Sequence, residues 1–180
     1  MQRILVIRHA EKTAPDGTVC GVDDFGRRSE HELSVRGWQR AGALAALFAG
    51  ADGSRPGLFA PRHLYAVRPT AEAPSVRTAR TLRPLADILG LPVSVEFAKG
   101  QEEQLVGSIT KLRECVLVCW EHAAILDIAR LLLGSAAKMP REWPEDRYDM
   151  VWVFERDEGP WQFMQVPQLL LAGDRGALIE

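Results

Sequence analysis

The chain has 180 residues, 47% hydrophobic and 26% charged, enough to bury a core, and residues 1–180 are expected to form a single domain. A formal net charge of -2 and a pI near 6.1 supply no basic field, so nucleic acid is not an expected partner and any attraction for phosphate must be local. Cys20, Cys115 and Cys119 show neither zinc-ligand spacing nor a disulfide framework, and no leader pattern or bilayer-length apolar run occurs, so a soluble cytoplasmic protein without a membrane partner is expected.

Arg3 to Ile7 is a short, β-branched apolar run that reads as a strand buried on both faces, and it ends abruptly in Arg8 and His9. Thr13 to Leu33 is polar and turn-rich, including Ala-Pro-Asp-Gly at 14–17, and reads as a long loop above that strand end. Ser34 then suits an N-cap, with Leu33 and Trp38 placed as a hydrophobic staple, and Trp38, Ala41, Ala45 and Phe48 share a face expected to pack on a sheet. Gly50 to Pro61 is a surface connection.

His63 to Val67 is the next strand, and Arg68 to Pro74 leads away from it. Pro74-Ser75 signals a helix start that places Arg77 near a helix N-terminus; Pro84 should kink this helix and Gly90 stop it. Leu91 to Val95 reads as a short strand. Gln101 to Leu112 reads as a helix with Leu105, Ile109 and Leu112 on one face and Glu102 and Glu103 in its first turn. Cys115 to Trp120 is a second fully apolar strand, followed by His122 and by a helix, Ala124 to Leu133, apolar enough all round to be buried. After a rigid loop at Pro140 to Asp146, Tyr148–Phe154 and Trp161–Val166 flank Asp-Glu-Gly-Pro as an antiparallel edge hairpin. Strands alternating with helices argue for an α/β sheet with helices on both faces.

Ligands in open α/β sheets bind at the carboxyl ends of strands. Two apolar strands ending in His9 and His122, with Arg77 following a third, would meet at one such rim. Arg8 and Arg77 can grip the oxygens of a phosphoryl group, with helix N-termini behind Arg77 and His122 adding attraction. His9 would attack phosphorus and carry the group covalently, His122 would donate hydrogen bonds to the developing charge, and water would complete a hydrolysis. His31 and His63 lack an accompanying carboxylate or cysteine cluster and read as surface residues rather than metal ligands.

Four ordered motifs resemble the histidine phosphatase superfamily, the phosphoglycerate mutase-like proteins. They are Arg8-His9-Ala10-Glu11 for Arg-His-Gly-Glu, Leu33 to Ala41 for Leu-Ser-x-x-Gly-x-x-Gln-Ala, Arg77 to Thr81 for Arg-Ala-x-x-Thr, and His122 after a Val-Leu-Val strand. The likeness runs from the first strand to about Leu133, and the strand at 148–153 is similar to the last strand of short bacterial members. It implies a three-layer αβα sandwich with a mostly parallel sheet, a phosphohistidine on His9, phosphate contacts from Arg8, Arg77 and His122, and no metal or other cofactor. It also implies a phosphatase acting on a small phosphorylated molecule or a phosphoprotein; a mutase and a non-catalytic phosphoryl-binding protein are the alternatives.

Ala10 and Ala123 replace usual glycines, which requires negative φ at both, and Ala73 stands where a serine often precedes the second arginine. Family members draw a proton donor from the segment between the second arginine and the second histidine. Here that leaves Glu102, which is preferred, with Glu103 and Glu121 as alternatives; strand alternation points Glu121 away from His122, toward a structural ion pair.

Overall fold

The computed structural model describes residues 1–14, 16–134 and 138–180. Its frame is the pair of apolar runs: β1 (Gln2–Arg8) and β4 (Val116–Trp120) lie parallel, in register from Ile4 opposite Val116 to Arg8 opposite Trp120. That register brings both carboxyl ends to the same edge. β2 (His63–Ala66) pairs parallel to β4, and β3 (Val93–Ser94) parallel to β2. On the other side of β1, β5 (Met150–Arg156) and then β6 (Gln162–Pro167) are antiparallel, giving the order β3-β2-β4-β1-β5-β6.

Alternation along the strands divides the core in two. Leu5, Ile7, Leu64, Leu117 and Val151 face α1 (Val35–Ala49) and α2 (Arg77–Leu89), meeting Leu44, Phe48, Leu82 and Leu85. Ile4, Val6, Val116, Val118 and Trp152 face α3 (Glu102–Ile109) and α4 (His122–Leu133), meeting Leu105, Ile109, Ile125 and Ile128. The architecture is a three-layer αβα sandwich.

The motif before α1 has a mechanical meaning. The Ser34 hydroxyl accepts from the Gly37 amide at 3.1 Å and donates to the Glu11 carbonyl at 3.1 Å, while the Ser34 amide donates to the same carbonyl at 2.9 Å. A Cβ on Gly37 would stand 2.3 Å from the Glu11 carbonyl oxygen, so only glycine lets the first turn of α1 press against the chain just after His9.

Several expectations shift. Trp38 packs with Leu33 and sends its indole N–H to the Val22 carbonyl at 2.9 Å, so it sits under the 20–33 loop rather than on the sheet. α2 starts at Arg77 behind Val76, without a side-chain cap, and Pro84 lies inside it. α3 ends at Ile109, so Leu112 packs on the core from beyond the helix. α4 begins at His122, and its outer face, with Asp127, Arg130 and Leu131, is exposed rather than buried, because only one side meets the sheet. The turn expected at 14–17 includes position 15, outside the described residues.

Candidate active site

Arg8 ends β1 with none of its surface exposed. Its Nη1 donates to the carbonyls of Pro144 (3.1 Å), Glu145 (2.6 Å) and Arg147 (3.1 Å), and its Nη2 to the Tyr148 hydroxyl at 3.2 Å. The guanidinium carbon lies 4.0 Å from the centre of the Tyr148 ring. Arg8 Nε is the one buried side-chain polar atom among the described residues without a hydrogen-bond partner.

His9 is 5% exposed, deeper than a residue of a loop edge. Its Nδ1 lies 2.7 Å from the Ala10 carbonyl oxygen, an acceptor that fixes the proton on Nδ1 and leaves the Nε2 lone pair free. Ala10 is pinned in turn: its amide donates to Thr81 Oγ1 at 2.9 Å, and the Thr81 hydroxyl donates to the Arg77 carbonyl at 2.8 Å. Burial pushes the His9 pKa down to about 3, with Arg8, Arg77 and Lys12 pushing the same way and outweighing the opposing Ala10 bond. Neither Ala10 nor Ala123 has a positive φ, as the loss of both glycines demands.

Arg77, the first residue of α2, donates from Nε to the Glu32 carbonyl at 3.3 Å and from Nη2 to the Glu30 carbonyl, so the long loop holds it against the rim. His122 opens α4 half-buried; burial first, then Arg8 and Lys12, lower its pKa against Glu145 and Glu121. The N-cap residues of α2 and α4, Val76 and Glu121, make no side-chain cap bond, in contrast to Ser34 of α1; the first amide of α2 has only a long 3.5 Å bond to the Ser75 hydroxyl, so both positive helix ends remain largely open at this rim. Neutral imidazoles amid arginine and lysine charges at largely open helix ends form an anion-binding arrangement.

No family model and no curated protein matches the sequence. Solved structures do match. The ecdysone phosphate phosphatase of Bombix mori, in complex with tungstate, aligns with a TM-score of 0.58 at 13% identity, covering 100% of this chain and 98% of its own. A mutant phosphoserine phosphatase of Entamoeba histolytica, in complex with phosphoserine, gives 0.57 at 13% identity, over 91% of this chain and 95% of its own. The protein histidine phosphatase SixA, complexed with tungstate, gives 0.56 at 18% identity, over 93% and 97%. The chain has the histidine phosphatase fold.

Within that fold, the structure brings Arg8, His9, Arg77 and His122 to one rim. The carboxylates are placed differently. Glu121 is bound to Lys99 Nζ at 2.8 Å, and Glu103 is exposed. Glu102 is buried, its Oε1 accepting from the Trp120 indole at 3.0 Å and the Gly100 amide at 3.1 Å. It borders a cavity of about 400 Å³ whose other walls include Asp127, Arg130 and Leu131, and which shares no wall with Arg8, His9, Arg77 or His122. His31 is exposed, and His63 pairs with Glu114 at 2.7 Å.

Lys12 and Tyr148 belong to the rim and were not singled out from the sequence. Lys12 follows the first motif directly, a signal that was available. Tyr148 arrives because β5 runs antiparallel to β1, with Val151 opposite Ile7, which carries the chain before β5 to the carboxyl end of β1.

Proposed function

We propose that the chain is a metal-independent phosphatase that hydrolyses phosphoryl compounds, a small metabolite or a phosphoprotein, through a phosphohistidine on His9. The observation that carries this reading is the imidazole of His9: neutral, with Nδ1 held by Ala10 and Nε2 presented among Arg8, Arg77 and Lys12. The Nε2 lone pair attacks phosphorus as the bond to the leaving group breaks, and that bond's electron pair departs with the leaving group, which takes up a proton. Arg8 and Arg77 hold equatorial oxygens, and His122, with its ring N–H and the start of α4, stabilises their growing charge. Water then attacks the phosphohistidine and returns Nε2 to its free state.

Of the three candidate proton donors, Glu121 is engaged by Lys99, Glu102 Oε1 is engaged by Trp120, and Glu103 is exposed to solvent, which favours substrates whose leaving group departs as a weak base. For alkyl phosphates, Glu102 is the proposed donor by way of Oε2, which accepts no bond from the described residues. Rapid quenching during turnover of an aryl phosphate should trap acid-labile phosphate on the wild-type protein and none on His9→Ala. A His9→Ala protein turning over within about tenfold of wild type would exclude covalent catalysis by this residue.

A further inference from the structure

Tyr148 is not part of the four motifs, yet it is fixed at the rim more firmly than a loop residue need be. On one side of it, the Arg147 carbonyl accepts from both Arg8 Nη1 and the Trp143 indole, at 3.1 and 2.8 Å. The Arg147 guanidinium is itself buried, donating to Asp149 at 2.7 Å and to the Ala177 carbonyl at 2.8 Å. The phenol ring is thereby held over Arg8, with its centre 6.2 Å from that of the His9 imidazole.

The hydrogen-bond directions are decisive. Arg8 can only donate, so in the 3.2 Å contact the Tyr148 oxygen is the acceptor and its own hydrogen points elsewhere. Among the described residues nothing accepts that hydrogen. Arg8 has the same property at Nε, since its Nη1 is taken by three carbonyls and its Nη2 by the phenol. Two donors without an acceptor among the described residues thus sit on stacked side chains, one of which has its ring centre 6.2 Å from that of the His9 imidazole. We propose that Tyr148 is a substrate-contacting residue whose hydroxyl donates, together with Arg8 Nε–H, to an oxygen of the phosphoryl group bound at His9.

The assignment rests on the phosphoryl-transfer reading and names one of its contacts. Burial raises the phenol pKa more than the neighbouring Arg8 and Arg77 lower it, so the group keeps its hydrogen at neutral pH. Tyr148 also lines a cavity of about 460 Å³ together with Glu11, Arg36, Asp146 and Arg175. That cavity takes no wall from Arg8, His9, Arg77 or His122, so Tyr148 is the residue that borders both it and the Arg8–His9 pair.

Tyr148→Phe is the appropriate variant, because it keeps the ring over Arg8 and removes only the hydroxyl. Titration calorimetry with inorganic tungstate should show binding to wild type and about tenfold weaker binding to Tyr148→Phe, the weight of a hydrogen bond to a charged group. The kcat/KM for an aryl phosphate should fall at least as far, with unchanged near-ultraviolet circular dichroism outside the lost tyrosine signal. Tungstate binding equal in the two proteins would overturn the role of Tyr148 while leaving the phosphatase reading standing. Wild type that binds no tungstate would overturn that reading, and this contact with it.

Discussion

His9 pairs a reactive role with an environment that forbids its charge. Protonation would place a cation in a buried site already facing Arg8, Arg77 and Lys12, so the folded pKa lies near 3 against an ordinary value of 6.5. The unfolded chain therefore binds a proton that the folded one refuses between those limits, and this contribution to stability falls as pH drops below 6.5 and levels off below 3. Urea unfolding from pH 7 to 4 should show His9→Gln losing less stability on acidification than wild type, by up to about 1.4 kcal/mol per pH unit. Parallel profiles would mean that His9 is not held neutral. At this scale the sequence was most legible where a residue stands at an element's boundary: Arg8 at the end of β1 with His9 directly after it, Arg77 at the start of α2 and His122 at the start of α4. Tyr148 was not legible, because its place depends on which strand the hairpin joins, and periodicity does not encode pairing partners.

The opening of α1 explains why a loop-adjacent motif has a fixed spacing. Ser34 and Gly37 bind the helix start to the Glu11 carbonyl, and Arg40, one turn further on, takes both Glu11 oxygens at 2.9–3.0 Å. Arg40 also bonds Asp174 and Gln168, so its charge is paired although it is buried. Burial alone would raise the Asp174 pKa, but Arg40 and the amides of Leu170 and Leu171 hold it at about 2. Gly37→Ala sets two effects against each other. Helix propensity gains about 1 kcal/mol. A methyl 2.3 Å from the Glu11 carbonyl must push α1 off the segment carrying His9, a cost of about 1–3 kcal/mol for overpacking against backbone that cannot turn aside. We expect net destabilisation in chemical denaturation and weaker oxyanion binding; a more stable variant would show that the contact yields freely. The N-cap and staple were readable from local sequence, whereas the destination of Trp38 was not, since the same apolar face can serve a sheet or a covering loop.

The whole molecule converges on the rim from sequence positions far apart. The parallel half of the sheet supplies Arg8, His9, Arg77 and His122, and its α/β alternation made that half readable. The antiparallel half supplies the carbonyl collar of Arg8, which lies 136–139 residues beyond it, and no local pattern announces such a contact. The collar is held by the final stretch of chain, which has neither helix nor strand after β6. The Gln168 amide donates to the Asp149 carbonyl at 2.7 Å, and the Arg175 amide to the Asp149 carboxylate at 2.6 Å. Ala177 accepts from Arg147, and Ile179 is buried with its backbone bonded to Gln165. Removing residues 177–180 leaves the sheet and both helical layers intact but strips the buried Arg147 guanidinium of one acceptor and uncovers the floor beneath Ile179. Leaving a buried charged donor unanswered costs about 1–3 kcal/mol or more, and the loss falls on the residue whose carbonyl binds Arg8. The shortened protein should fold, show faster amide exchange confined to about residues 143–149, and bind tungstate less tightly than the full chain. Exchange that is unchanged there, or raised evenly through the sheet, would show that the C-terminal stretch stabilises the molecule as a whole without setting the geometry of the Arg8 site.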